Sequence, residues 1–494
     1  MDKKWALVPI AIIIIAVTIV IVNTSAEETC KADSFESLSL LTQNGEKEIE
    51  ITANIELSAP IFITSETKIF STKDVTLKRS INYSGELFII GENQDHSKPI
   101  ISGKKSILTL GNNNPKKGII TVDGNQEVNA LGSMFLVVAS GELAIYNDCI
   151  LQNGHKTGNE RLLDSEHYIT SSPESIGGAA VDIISGVFNM YGGSINNCKS
   201  SLDVNNASYL GGAIYNYGDF NMYGGSINKN ESARGGAIYN YKTVRINSGS
   251  ILNNNATSYG GGICCANSQY VNVYLGDKQA DDGTVLIQGN TSEGAGAAIY
   301  AKQKCSIVSY GGVTFKNNTS SSHGGAMYIA GTLWINNTVF EGNKAKSQGG
   351  AIQIHDVEDY TPRNVTITNS TFTNNKAGNG GGIFSKTKGI LDIDNCNFQY
   401  NSASGSGGSL YASASSNILM TNVQAKNNEA NDKGGFLFIT DANTEVSIIS
   451  GTVEENKAQL GEFIYGNNEN STVKIGKLLK YNGSKEGQYT EVVI

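Results

Sequence analysis

The sequence predicts an all-β chain wound into a right-handed parallel β-helix, a solenoid, preceded by one N-terminal hydrophobic helix. Three observations predict it. Glycine-led corners recur at Gly177, Gly211, Gly235, Gly260, Gly296, Gly324, Gly349, Gly380, Gly407, Gly434 and Gly461, giving eleven units at steps of 24 to 36 residues. A near-period whose variation is absorbed by insertions is how a solenoid reads. The residue closing each corner is aliphatic throughout: Ala180, Ile214, Ile238, Ile263, Ile299, Met327, Ile352, Ile383, Leu410, Leu437 and Ile464. Stretches such as "DFNMYGGSINKN" alternate with a two-residue period, and no 3.6-residue apolar stripe runs through a unit, so the units are strands and turns.

Residues 1–26 come first. Lys3 and Lys4 precede an apolar stretch from Trp5 to Val22. At 1.5 Å per residue that stretch makes about 27 Å of helix, enough to reach across a bilayer core. Thr24 and Ala26 also offer small residues for cleavage, so the segment reads as an export signal or a signal anchor. Either way the positive flank stays inside. The rest of the chain is therefore expected outside the cytoplasm, extracellular or at the cell surface, with membrane contact through residues 5–22 where the segment is retained.

Residues 27–176 lack the glycine pair but keep a short-strand rhythm in "EIEITANIEL", "ELFIIG" and "KGIITVDGN". They are expected to form the N-terminal cap and the irregular early coils, because the first coil of a solenoid must close the apolar core against water. Residues 177–466 hold the regular repeats. Their inward aliphatics bury one another from coil to coil, each full burial worth about 1.5–3 kcal/mol, and glycine at the corner supplies positive φ and close backbone approach. Residues 467–494 are expected to supply the C-terminal cap.

A second recurrence reads as a structural ladder. Asn230, Asn255, Asn290, Asn318, Asn343, Asn375, Asn401, Asn428 and Asn456 stand ahead of successive corners, with Cys198 in their place in the first unit. Phe, Ile, Leu or Val usually lies three residues before each. Asn tolerates left-handed turns, and its amide can pair with the same residue of the next coil. Bound ions would want carboxylates, which are missing there, so neither a metal nor a cofactor is expected.

Of 494 residues, 37 are basic and 46 acidic, for a net charge of -9, and 39% are hydrophobic. That is too apolar for a disordered chain. No long basic run is present, so nucleic acid is not an expected partner. The seven cysteines form no C-x-x-C pair and read as buried single thiols, not as a zinc site. Asn82, Asn206, Asn336, Asn364 and Asn482 each begin an N-x-[ST] triplet, a frequent chance event in a chain this rich in Asn, Ser and Thr.

Repeated pairing of F-x-x-N with G-G-A-[ILV], in "FKNNTSSSHGGAM", "FEGNKAKSQGGAI" and "FTNNKAGNGGGI", resembles the polymorphic outer membrane protein repeat and related bacterial adhesin-like β-helix proteins. The resemblance covers residues 119 to 464. It implies a cell-surface or secreted adhesin-like protein that binds a host-cell or polysaccharide ligand. It also implies a C-terminal membrane β-barrel. Roughly thirty residues follow the last unit, too few for eight strands of about ten residues, so the N-terminal segment is the expected anchor.

The position after each inward aliphatic is aromatic in most units: Tyr215, Tyr239, Tyr300, Tyr328, Phe384, Tyr411, Phe438 and Tyr465. Alternation points this column outward, where it is either a self-supporting stack or a platform for sugar or protein contact. The alternative function is a pectate-lyase-like carbohydrate-active enzyme, a polysaccharide lyase or glycoside hydrolase, with its groove beside the insertions at 155–176, 264–283 or 353–363. Such chemistry needs carboxylates facing across a groove, or an acidic cluster with a basic proton abstractor. The candidates are Asp356, Glu358 and Asp359 near His355 and Arg363, and Asp281 with Asp282. Acidic loop residues are usually only solvated, and His323, without a counterpart in neighbouring units, reads as a turn residue. No catalytic residue is assigned.

Overall fold

A computed structural model describes residues 29–91, 105–112, 118–158, 175–201, 208–266, 271–277, 284–355 and 364–494. The hydrophobic segment 1–26, the loop residues Asp281 and Asp282, and the group Asp356, Glu358, Asp359 and Arg363 lie outside the described residues. Among the described residues no helix is long and apolar enough to cross a membrane, a statement that leaves strands aside.

Each regular coil is built of four short strands. In one coil these are Ile214–Asn216, Asp219–Met222, Ser226–Asn228 and Glu231–Arg234. The next repeats them as Ile238–Asn240, Thr243–Ile246, Gly249–Leu252 and Asn255–Tyr259. Each strand pairs in parallel with its counterpart, Ile214 with Ile238, Phe220 with Val244 and Ile227 with Ile251. The file of first strands runs unbroken from Ile61–Ile63 through Phe88–Ile90, Phe135–Val137 and Val181–Ile183 to Ile464. The glycine-poor early strands and the regular repeats thus stack in one parallel β-solenoid.

Two adjacent glycines serve two different needs at the corner. The first is left-handed, as at Gly235 with φ +68° and Gly349 with φ +67°, where a side chain is strained. The second is the point at which the next coil passes: a Cβ on Gly350 would stand 2.1 Å from the Gly381 carbonyl oxygen. In the unit beginning "GGAAV" the left-handed glycine is Gly178, not Gly177, and Val181, not Ala180, pairs with Ile214. Ala179 here takes the place of the second corner glycine, so the register lies one residue later than the glycine pair suggests.

One α-helix is present among the described residues, Phe35–Gln43. Residues 27–176 gave no sign of it as a strand region. Ser34 caps it, exchanging hydrogen bonds with Ser37, the reciprocal arrangement that satisfies the first free amides of a helix. Leu38 is fully buried, and Phe35 and Leu41 pack on the core, so the helix lies across the first coils as an apolar lid. Farther along, Phe315, Phe340, Phe372 and Phe398 stack face to face inside at 4.7–5.0 Å, close to the coil spacing of about 4.8 Å.

Candidate functional site

Strand alternation sends Ile214 inward and its neighbour Tyr215 to the outer wall. The outer file then reads Asp182, Tyr215, Tyr239, Cys264, Tyr300, Tyr328, Gln353, Phe384, Tyr411, Phe438 and Tyr465 in continuous register. Its rings stack on one another: Tyr300 on Tyr328 at 5.1 Å and 16°, Phe384 on Tyr411 at 4.6 Å and 20°, Phe438 on Tyr465 at 5.9 Å and 16°. Rings spaced by the coil rise turn their faces along the rod and their edges to the side. Tyr215, Tyr239, Phe384 and Phe438 are buried, and Tyr215 and Tyr239 share an outer apolar cluster with Leu136, Val138 and Leu210. The file is chiefly a stack covered by its surroundings.

The stack is interrupted at Cys264 and at Gln353. Cys264 is covered by the outer cluster. At Gln353 the wall opens into a groove of about 370 Å³, lined by His323, Tyr328, Gln348, Gln353, His355, Phe384, Lys386, Tyr411, Ser413, Thr440 and Asp441. Two polar rows flank the ring file. His355 and Lys386 are register partners two residues beyond Gln353 and Phe384, and Ser413 and Thr440 follow Tyr411 and Phe438 at the same offset. On the other side His323 bridges to Gln348. From the coil of Tyr328 to that of Thr440 the lining crosses four coil steps, about 19 Å at 4.8 Å each.

The electrostatics are mixed. Gln353 is 3% exposed and its Oε1 accepts no hydrogen bond among the described residues; His323 Nδ1 is likewise buried and unpartnered. Burial holds the His323 imidazole below its ordinary range and pushes the Tyr328 hydroxyl up to about 12. Burial also raises Tyr411, opposed by its hydrogen bond with Thr440. The His355 ring leans on Tyr328, centroids 5.9 Å apart. Asp441 Oδ2 accepts from Ser413 Oγ at 2.6 Å, and Lys386 is exposed.

His323 and His355 therefore meet in one groove although the sequence placed them in unrelated turns and insertions. Gln348, Gln353, Lys386, Ser413, Thr440 and Asp441 were missed. The readable signal was that Gln353 is one of three non-aromatic members of the column, with Asp182 and Cys264. A larger concavity of about 530 Å³ lies over the fourth strands, beside Lys344, Lys346 and Lys376. Its floor is Ala345, Ala377 and Ala403, and no buried polar atom without a partner lines it.

The asparagine file is a hydrogen-bonded ladder. Asn318 Nδ2 donates to Asn343 Oδ1 at 3.0 Å, Asn375 Nδ2 to Asn401 Oδ1 at 2.9 Å and Asn401 Nδ2 to Asn428 Oδ1 at 2.9 Å. Asn230, Asn290, Asn343, Asn428 and Asn456 occupy further rungs. The rung expected at Asn255 is held by Asn254, which receives from Asn230 and donates to Asn290. Asn255 instead accepts from Thr291 Oγ1 at 2.7 Å near the surface. In "ILNNNA" three asparagines run together, and the buried one is that three residues after inward Ile251. A second polar pair, Asn216 Nδ2 to Asn240 Oδ1 at 2.8 Å, also went unread. Among the described residues no cluster of His, Cys, Asp or Glu is arranged to hold a metal ion.

Residues 284–302, 312–328, 337–354 and 369–386 match the family model of the Chlamydia polymorphic membrane protein repeat. The chain carries repeats of this type, and the matched coils contribute His323, Gln348, Gln353 and Phe384 directly or by adjacency to the groove. Comparisons with curated proteins and with solved structures gave no match.

Proposed function

We propose that this chain is a surface-exposed, adhesin-like repeat protein that binds a host, cell-surface or polysaccharide ligand through the outer wall of its β-helix. The observation that carries the reading is the groove at Gln353. A rod held together by its own stacking has no structural use for a buried acceptor without a donor, since an unsatisfied polar group costs about 1–3 kcal/mol. A ligand that supplies the donor gives that cost a purpose. Repeats of the polymorphic membrane protein type cover the part of the groove that holds His323, Tyr328, Gln348, Gln353, Phe384 and Lys386, and the apolar segment from Trp5 to Val22 supports delivery to the cell surface.

The test has two parts. Protease added to intact expressing cells should degrade the chain, and beads coated with it should adhere to cell layers more strongly than albumin-coated beads. Protection of the chain in intact cells, or adhesion no better than albumin, overturns the reading.

A further inference from the structure

We infer that the groove at Gln353 is a saccharide site for an acidic sugar, one whose ring bears a carboxylate beside its hydroxyls. The inference rests on the ligand-binding reading above and names the class of ligand.

Three features of the groove lead there. The ring stack breaks between Tyr328 and Phe384 because Gln353 stands in the intervening coil, so that on this side Tyr328 meets only the tilted His355 ring, 5.9 Å away, and Phe384 has no ring stacked on it. A saccharide offers apolar C–H faces of matching kind. The Gln353 Oε1 acceptor, buried and without a donor among the described residues, is suited to a sugar hydroxyl, as are the Asp441 carboxylate and the unpartnered His323 Nδ1. Lys386 completes the set. It is exposed and has no ion pair among the described residues, and it lies beside His355 in strand register. A cation at one end of a hydroxyl-binding cleft selects a carboxylate.

A peptide fits less well. Extended peptides are usually held by adding a strand to a free sheet edge. Ile352–His355 is already paired on both sides, by Met327–Ile329 and by Ile383–Lys386, so only side chains face the groove. Nucleic acid would require several cations, and the lining has one lysine together with Asp441.

The experiment uses the full chain and uronate-containing oligosaccharides beside their carboxyl-reduced counterparts, with binding read by calorimetry. The native acids should bind at least tenfold more tightly than the reduced sugars. Lys386→Gln should erase that difference while leaving the weaker binding of reduced sugars unchanged. Gln353→Leu should remove binding of both with the thermal midpoint retained, and Lys386→Gln, a surface change, keeps the test valid if the leucine variant misfolds. Equal affinity for native and reduced sugars overturns the acidic specificity, and no binding of either overturns the site. If beads still adhere to cells, and adhere equally with Gln353→Leu and Lys386→Gln, the saccharide site fails while the adhesin reading stands. If wild-type beads do not adhere, it is the adhesin reading that fails.

Discussion

Asn343 donates from Nδ2 to Asn375 Oδ1 at 3.0 Å, and its main-chain N–H donates to the same oxygen at 3.0 Å. One carbonyl oxygen thus ties two groups of the coil before it. Asn343 Oδ1 in turn receives the Asn318 N–H and Nδ2, and Asn343 Nδ2 also reaches the Phe315 carbonyl. Replacing Asn343 with Ala deletes both acceptor bonds and both donor bonds in a dry interior. At about 1 kcal/mol net per bond, with added cost for buried groups left unpaired, the loss should be about 3–5 kcal/mol by urea denaturation.

The same ladder gives a discriminating pair one residue apart. Asn254→Ala should cost as much as Asn343→Ala, because Asn254 also takes two donors and makes two bonds. Asn255→Ala should stay within about 0.5 kcal/mol of wild type, as expected for a surface change. Equal effects in denaturation would place the rung wrongly.

Corner glycines should differ by position. Gly350→Ala puts a methyl 2.1 Å from the Gly381 carbonyl oxygen, a main-chain clash that should cost about 3 kcal/mol, the upper end for overpacking. Gly382 occupies the third corner place, where other coils carry Ala213, Ala237, Ala326 and Ala351. Gly382→Ala should therefore lie within about 1 kcal/mol of wild type, with the smaller unfolded-state entropy of alanine in its favour. Denaturation midpoints of the two variants check the contrast.

These cases show why the architecture was legible and the groove was not. Register between Ile214 and Ile238 is written in the sequence, because each coil repeats the pattern and an error in one unit is corrected by its neighbours. Where a motif is locally redundant, as in the triple asparagine at Asn253 to Asn255 or the doubled glycine at Gly177, repetition leaves a one-residue ambiguity that only backbone φ and hydrogen bonding resolve. Groove residues are departures from the repeat: Gln353 where rings prevail, His323 at a corner, Asp441 after a fourth coil. Their proximity comes from stacking across residues 323 to 441. The helix Phe35–Gln43 was missed for another reason, since it occurs once and nine residues carry too little periodicity to stand out.

Left-handed backbone precedes each ladder asparagine. Asn317, Asn374 and Asn427 take it, as do Gly289 and Gly342, but so does Tyr400 at φ 55°. A non-glycine side chain there costs about 1–2 kcal/mol, less for Asn. Tyr400 is 54% exposed, so little packing is lost on replacement. Tyr400→Asn should raise stability by about 1 kcal/mol, read as a higher urea midpoint.

The cysteines predict both reactivity and pH dependence. Burial pushes the thiols of Cys198, Cys264 and Cys396 up to about 12 and Cys149 further. Cys265 is raised first by its hydrogen bond with Cys305, then by burial. Iodoacetamide at pH 8 should modify only half-exposed Cys30 in the native chain and all seven in urea. Unfolded thiols titrate near about 8.5, so above that pH the unfolded chain releases protons that the folded chain keeps. The stability they contribute is whole below about pH 8.5 and falls as pH rises toward 12, at up to about 1.4 kcal/mol per pH unit per thiol. A flat urea midpoint between pH 8 and 10 would contradict it.

Near the N-terminal end the outer file holds a charge where its neighbours are apolar. Asp182 sits in register between Leu136 and Tyr215, and Lys156 Nζ meets its Oδ2 at 3.3 Å with both side chains nearly inaccessible. Lys156 also donates to Ser133 Oγ, whereas Asp182 Oδ1 has no hydrogen-bond partner among the described residues. Glu86 stands close by; burial raises its pKa and Lys156 draws it back down. Removing one partner leaves a buried uncompensated charge, so Lys156→Met and Asp182→Leu should each cost about 3–5 kcal/mol. In the double variant the two charges and the orphaned Oδ1 go together, and apolar groups extend the neighbouring Leu136 and Tyr215, while Glu86 keeps Arg79 as its remaining cation. Its stability should match wild type or exceed it by about 1–4 kcal/mol. A double-mutant cycle by urea denaturation measures this directly: losses that simply add would show that the pair is not coupled and that the file tolerates no apolar replacement there.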